Sequence, residues 1–431
     1  MKSSFYNHFF RHSESQYIAF NAFTSSLALM SKQNYEEFQR FCNEKISLSD
    51  DFEMELKRGG FVVEDDEDEL NYLRFRLLRG RFSSDTLSMT IAPTNDCQFA
   101  CVYCYEKDVI SPKYMDSSTQ DKIFEILESR KGLIANFSVV WYGGEPLMAL
   151  DVVESLSRRF IEFCATNGIT YNAVMVTNGY MLTRDSLRRI NNANISVLQI
   201  TLDGLSEVHD KMRPLKSGGK TFDIIIENLK NSYDLLPAVA LRINIDKNNV
   251  SSGKKIHQFL KENKMIDKIR PYFGKIISEA GTYGDTQCLS ICDFSEIHYD
   301  FVALVEEDTQ SPTLYPTVKS AVCGADSISS FVVDADGWMY KCWCDMGNSE
   351  RRVGSVLGDC NSINTLLLEY MLFDPTSDDN CKSCNVLPIC MGGCPYKRMM
   401  GSSDNCTDYK YILNKCLADA TNVFQKEREK F

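Results

Sequence analysis

A chain of 431 residues with a net charge of −12 has room for two or three average domains. At 44% hydrophobic, 25% charged and 11% aromatic it has the make-up of an ordinary folded protein. The acidic balance argues against a general nucleic-acid binder. No apolar run reaches the ~18 residues of a membrane span, and Met1–Met30 lacks the basic start and continuous apolar core of a signal peptide. A cytoplasmic protein is expected, with no membrane and no nucleic acid among its partners.

Residues 1–85 read as a small separate α+β unit. Tyr17–Met30 suits a short hairpin, and Asn34–Cys42 a helix with Tyr35, Phe38 and Phe41 at three-residue steps. Gly59-Gly60 precedes a short strand, Phe61–Val63. The acidic run Glu64–Glu69 reads as the solvated start of a helix over Leu70–Leu78.

From residue 86 to 277 a short apolar strand, a loop and an amphipathic helix recur. The strands are expected at Leu87–Thr94, Phe137–Tyr142, Ala173–Thr177, Val197–Leu202, Val239–Ile245 and Ile269–Phe273. The helices are expected at Ser117–Ser129, Asp151–Thr166, Arg184–Asn192, Phe222–Tyr233 and Ser252–Lys261. Such alternation implies parallel βα units with right-handed crossovers. Six units are too few for a closed eight-stranded barrel, so the fold class expected is α/β, a partial (β/α)6 barrel. Polar or glycine-rich features fall at successive strand ends: Cys97–Cys104, Gly143-Gly144-Glu145-Pro146, Thr177-Asn178-Gly179, Thr201-Leu202-Asp203-Gly204, and Arg242 with Asn244. Those ends share one face of a βα barrel, the face on which sites are built. Residues 278–320 read as a linker containing a helix, Asp293–Glu307, and residues 321–431 as a cysteine-rich domain.

Seventeen cysteines, an odd number in a chain without a secretion signal, do not suit a disulfide framework. They cluster: Cys97, Cys101 and Cys104 stand at CxxxCxxC spacing, and nine lie between Cys323 and Cys406. Zinc prefers paired CxxC knuckles and a fourth ligand. Three thiols holding a [4Fe–4S] cluster leave one iron open for a further ligand.

Cys97-x3-Cys101-x-Tyr103-Cys104 after the first strand, with Gly143-Gly144-Glu145-Pro146 after the second, resembles the radical S-adenosylmethionine (SAM) superfamily. The resemblance implies that Cys97, Cys101 and Cys104 hold a cluster whose open iron chelates SAM. One electron then cleaves SAM to a 5′-deoxyadenosyl radical. It further implies that Tyr103 packs on adenine. Gly143 and Gly144 let backbone approach the methionyl end, Glu145 meets its ammonium, Thr201 faces SAM, and Arg213 pairs with the methionyl carboxylate. Asn178 and Asp203 fit as supporting groups or as turn residues. No catalytic base is assigned: His209 has no visible partner and reads as structural.

Cys323, Gly337 and Cys342, then Cys381-x2-Cys384-x5-Cys390-x3-Cys394 and Cys406, resemble the SPASM extension of radical SAM enzymes. By that resemblance one auxiliary cluster takes Cys381, Cys384, Cys390 and Cys406, and another takes Cys323, Cys342 and Cys394, three clusters in all. Two points stay open. Ser327, Ser329 and Ser330 stand where relatives carry another cysteine, leaving an open iron or a bond from Cys344. Cys416 is an alternative to Cys406.

The resemblance extends to two branches. Anaerobic sulfatase maturases make formylglycine and carry Asp directly after the cysteine matching Cys342; here Trp343 stands there and Asp345 lies further on. The other branch matures ribosomally made peptides, and residues 1–85 resemble its leader-binding unit. A peptide maturase is therefore expected, acting on a precursor peptide, cysteine-containing if an auxiliary iron is open, with a thioether or other cross-link as product. Flavodoxin or ferredoxin would supply electrons. The alternatives are a formylglycine-generating enzyme and, in another class, a non-catalytic iron–sulfur carrier or sensor.

Overall fold

The computed structural model describes residues 1–277, 283–284, 286–306, 314–358 and 363–428. Parts of the expected linker, including Gly281, Glu307 and Pro312, lie outside the described residues. The described chain forms two compact units that regroup the linear division. One comprises Met1–Arg81, Ser290–Val322 and Phe373–Phe431, and the other Phe82–Leu289 and Cys323–Leu372. The segment expected as one domain over 321–431 thus contributes to both. No described helix is long and apolar enough to cross a membrane.

In the first unit β1 (Lys2–Ser3) pairs with β5 (Val62–Val63), and β2 (Asn7–Arg11), β3 (Gln16–Asn21) and β4 (Ser26–Ser31) form an antiparallel meander in the order β2-β3-β4. Alternation along β3 gives each face its own core. Ile18 and Phe20 join Tyr6, Leu73 and Leu77 and the apolar residues Val386, Leu387, Ile389, Met391, Leu413 and Leu417. Ala19, on the other face, joins Met30, Phe38, Phe52, Leu56 and Phe61. The first of these cores binds residues 1–81 to the cysteine-bearing turns of the same unit, so 1–85 is not a separate body. The acidic run ends less solvated than expected: Glu69 is buried and accepts from Ser4 Oγ at 2.5 Å and Phe5 N at 2.9 Å.

The second unit carries β6 (Thr86–Ile91), β7 (Asn136–Trp141), β8 (Thr170–Thr177), β9 (Ile195–Thr201), β10 (Ala238–Ile245) and β11 (Ile269–Lys275), all parallel, each paired with the next. Among the described residues β6 and β11 do not pair with each other, so the barrel is open. Helices Ser117–Glu128, Leu150–Asn167, Arg184–Asn192, Phe222–Asn231 and Ser252–Glu262 follow five of the strands, within a few residues of their expected places. Leu87, Met89 and Ile91 of β6 and Phe137, Val139 and Trp141 of β7 are buried, and Phe137 sits edge-on to Phe160 of the following helix at 5.0 Å. The alternate positions, Ser88 and Ser138 among them, face the opposite side of the sheet. At the β6 edge the sheet continues into the cysteine-rich segment. β12 (Ser330–Val333) pairs in parallel with β6, and β13 (Trp338–Tyr340) and β14 (Gly354–Ser355) follow antiparallel.

Candidate active site

The strand-end features do converge. After β7 the chain turns at Gly143, whose φ of 100° lies in the region that favours glycine. A Cβ on Gly144 would fall 2.1 Å from the Asp96 carbonyl oxygen. Gly144 N donates to Thr94 O at 3.2 Å and Glu145 N to Asp96 O at 2.8 Å. The Gly-Gly-Glu turn and the start of the cysteine loop therefore lie backbone against backbone. Only glycine permits that approach.

Glu145 locks this turn to the end of β8. Its side chain is buried. Oε1 accepts from Thr177 Oγ1 at 2.6 Å and Leu147 N at 3.0 Å, and Oε2 from Asn178 N at 2.7 Å. Burial raises its pKa, while those hydrogen bonds and Arg213 pull the other way. Asn178 turns its amide toward Cys97 Sγ at 4.0 Å. Thr177 was visible only as part of a turn in the sequence; its position directly before Asn178-Gly179 at a strand end was the available signal.

A second network joins Tyr103 to β9 and β10. The Tyr103 hydroxyl donates to Asp203 Oδ2 at 2.5 Å and accepts from Arg213 Nη1 and Asn244 Nδ2, both at 2.9 Å. Asp203 Oδ1 accepts from Asn244 N at 3.1 Å. Burial raises the pKa of Asp203, and the Arg213 cation opposes it. For Arg213 burial works against the charge, and Cys101, Tyr103 and Asp203 more than offset it. Arg213 Nε is buried without a hydrogen-bond partner among the described residues. Thr201 is buried at the end of β9, opposite Arg242 of β10. His209 is buried; its Nδ1 accepts from Asp203 N at 3.3 Å, and burial and Arg213 keep it neutral.

Cys97, Cys101 and Cys104 are all free thiols on this loop. Burial pushes Cys97 and Cys104 up to about 12 and raises Cys101, while Arg213 favours the thiolate at all three. Such a donor set releases protons when it takes a metal. A [4Fe–4S] cluster with SAM fits these residues: three unpaired thiols, a glycine cradle and an unpartnered guanidinium N–H lie within one network. Among the described residues no three His, Cys, Asp or Glu side chains close on a point that would hold a single metal ion.

The C-terminal cysteines divide between the units. Cys381, Cys384, Cys390, Cys394 and Cys406 lie in the first, and Cys323 and Cys342 in the second. Burial pushes Cys381 up to about 12, with Asp378, Cys390 and Cys384 adding to it, and Cys384 is in turn raised by burial, Cys390 and Cys406. Cys390 thus acts on both, and Cys406 on Cys384. Lys410 Nζ reaches Cys406 Sγ at 3.4 Å. Cys416 instead sits in the helix Tyr409–Arg428, buried, with Asp419, Glu306 and Asp408 as its charged surroundings. Cys344 and burial hold the Cys342 thiol well above the ordinary thiol range. Asp345 is buried, with Arg351 Nε on Oδ1 and the Tyr370 hydroxyl on Oδ2, both at 2.8 Å. Tyr142, which sequence reasoning passed over, stacks on Trp343 at 5.2 Å and shares its hydroxyl with that of Tyr105. It stands directly before Gly143 at a strand end, which was the signal.

Residues 91–260 match the Radical SAM superfamily model. The chain is 26% identical over 375 residues to the cysteine-type anaerobic sulfatase-maturating enzyme of Clostridium novyi (strain NT), covering 78% of this chain and 97% of that one. Its fold is similar to that of native anSMEcpe with bound AdoMet, at a TM-score of 0.62 and 17% identity over 78% of this chain and 100% of the other. It is also similar to Streptococcus suis SuiB bound to precursor peptide SuiA, at a TM-score of 0.54 and 14% identity over 94% of this chain and 98% of the other. The loop of three thiols and its Gly-Gly-Glu turn thus lie within a radical SAM domain, in a chain similar to the anaerobic sulfatase maturases.

Proposed function

We propose that this enzyme is a peptide maturase that forms a thioether or other cross-link in a ribosomally made precursor peptide. The observation that carries the reading is the packing of the cysteine loop, the Gly143–Glu145 turn and the Tyr103–Asp203–Asn244–Arg213 network around one strand-end face. When bound, a [4Fe–4S] cluster on Cys97, Cys101 and Cys104 supplies the electron that cleaves SAM to a 5′-deoxyadenosyl radical, and auxiliary clusters on the C-terminal cysteines supply an electron sink.

The chain's own residues bind and orient. Arg213 pairs its unpartnered Nε–H side with the methionyl carboxylate. Gly143 and Gly144 admit the methionyl backbone. Glu145, which has one lone pair of Oε2 left after its three hydrogen bonds, meets the ammonium. The ring of Tyr103, fixed by its hydroxyl, packs on adenine, and Thr201 lines the same face. Cys381, Cys384, Cys390 and Cys406 are one auxiliary set, and Cys323, Cys342 and Cys394 belong to another. Residues 1–85 take part in leader binding: a groove of about 1030 Å³ is lined by Ser26, Leu27, Ala28 and Leu29 on the β4 edge, by Arg58 and by Phe424. A strand edge unpaired among the described residues, beside a groove of mixed apolar and polar lining, suits an extended peptide. A flavodoxin or ferredoxin serves as reductant.

Formylglycine formation is the second reading, favoured by the relation to sulfatase maturases. Trp343, which stands where sulfatase maturases carry Asp, cannot take up a proton, and both oxygens of Asp345 are engaged by Arg351 and Tyr370. The test is anaerobic reconstitution, reduction, and incubation with SAM and the small peptide encoded beside the gene. Deoxyadenosine formed together with loss of a pair of hydrogens from the peptide supports cross-linking. Deoxyadenosine without that mass change refutes it. A hydrazide-reactive aldehyde selects formylglycine formation.

A further inference from the structure

The barrel interior holds a cation that none of the roles above uses. Arg242 lies on β10, opposite Thr201 of β9 and Tyr272 of β11. Its Nε donates to Asn244 Oδ1 at 2.7 Å, and Asn244 is itself tied to Tyr103. The guanidinium lies against Gly274 of β11, where a Cβ would fall 2.4 Å from Nε and 2.5 Å from Cζ and Nη2. One hydrogen bond and one missing side chain therefore fix the plane of the group. Its Nη1 and Nη2 have no hydrogen-bond partner among the described residues.

The surroundings indicate which way it serves. Asp203, a carboxylate that feels its charge, is already committed to Tyr103 and Asn244. Arg242 also acts on Tyr142, the residue on which Cys344, Cys104 and Cys342 act. The guanidinium is thus tied through Asn244 to the Tyr103 network and acts on Tyr142, which stacks on Trp343 beside Cys342. A planar guanidinium with both terminal nitrogens free matches a carboxylate bidentately.

We propose that Arg242 anchors a carboxylate of the peptide substrate, making the enzyme selective for peptides with an acidic group near the modified residue. The proposal rests on the peptide-maturase reading, in which Arg213 takes the carboxylate of SAM.

The test uses the full reconstituted chain with SAM and two pools of short peptides of equal length. One pool carries Asp and Glu at positions where the other carries Asn and Gln. Equilibrium dialysis should show the acidic pool retained about tenfold better, a difference of ~1.4 kcal/mol. Arg242→Gln should abolish the preference. Gly274→Ala, which keeps the charge but fills the cradle, should reduce it, and Arg242→Lys should keep only part of it. Amidated copies of the acidic pool separate side-chain carboxylates from the chain terminus. Equal retention of both pools by the native chain, or a preference unchanged in both Arg242→Gln and Gly274→Ala, overturns the proposal. So does loss of discrimination between SAM and decarboxylated SAM in Arg242→Gln, since the carboxylate would then be that of SAM. The peptide-maturase reading fails on a different measurement, the mass of the incubated precursor.

Discussion

Glu145→Gln tests whether the Gly-Gly-Glu turn is held by its carboxylate. All three groups facing Glu145 are donors: Thr177 Oγ1, Leu147 N and Asn178 N. A glutamine offers one acceptor oxygen and one NH2. With its oxygen at the Oε1 position it keeps two bonds, and its NH2 then faces the Asn178 N–H. One hydrogen bond to a charged acceptor, worth about 1.5–3 kcal/mol, is lost, and a buried donor is left unmet at about 1–3 kcal/mol. Part is recovered because burial already disfavours the charge that the substitution removes. A net loss of about 2–4 kcal/mol is expected, which at a urea slope of about 3 kcal/mol/M moves the midpoint down by about 1 M. The three tryptophans, Trp141, Trp338 and Trp343, all lie in the second unit, so intrinsic fluorescence follows this unit alone. The measurement is made without SAM, so that binding does not enter. An unchanged midpoint at unchanged slope would refute the argument.

Gly144→Ala forces a Cβ to 2.1 Å from the Asp96 carbonyl. The cysteine loop or the turn must move, at a cost of about 1–3 kcal/mol or more, and the iron retained after reconstitution should fall by about one cluster's worth, ~4 irons; full iron content would contradict the close approach. Stability of the second unit should fall as pH drops through and below the ordinary histidine range. His209 is held neutral in the fold and takes up a proton only when unfolded, so the unfolded state binds more protons there. His209→Asn keeps an acceptor for Asp203 N and should flatten that slope, which is at most about 1.4 kcal/mol per pH unit; equal slopes between pH 7 and 5 would count against it. Cys406→Ala should lose ~4 irons per chain and Cys416→Ala none, as read by iron and sulfide analysis; the reverse pattern would reassign the last ligand.

The parallel strands of the radical SAM domain were legible because each is a short apolar run punctuated by glycine and polar residues, a signal carried within a few residues of sequence. Arg184–Asn192 was placed to the residue for the same reason: Thr183 caps it, with its side chain accepting from Ser186 N. What the sequence hid were pairings between distant short segments. Ser330–Val333 is four residues long and says nothing locally about lying beside Thr86–Ile91. The first unit is hidden likewise, since Phe20, Leu77, Ile389 and Leu417 meet only through the fold. The same limit governs the site. Residue type and spacing marked Cys97 and the Gly143–Pro146 turn, and the family resemblance added Tyr103 and Arg213, but Tyr103 was read for its ring, and it is the hydroxyl that joins Asp203, Asn244 and Arg213. Arg242, with Asn244, was read from its strand-end position alone as a candidate contact for SAM or substrate. Its meaning depends on Gly274, thirty-two positions away in sequence and one strand away in space, whose missing side chain sets the guanidinium in place. A glycine in a strand interior weakens the strand unless something needs the room. Here the occupant of that room is a cation with both terminal nitrogens still free among the described residues, and so the substrate's charge is the first thing to vary when searching for what this enzyme modifies.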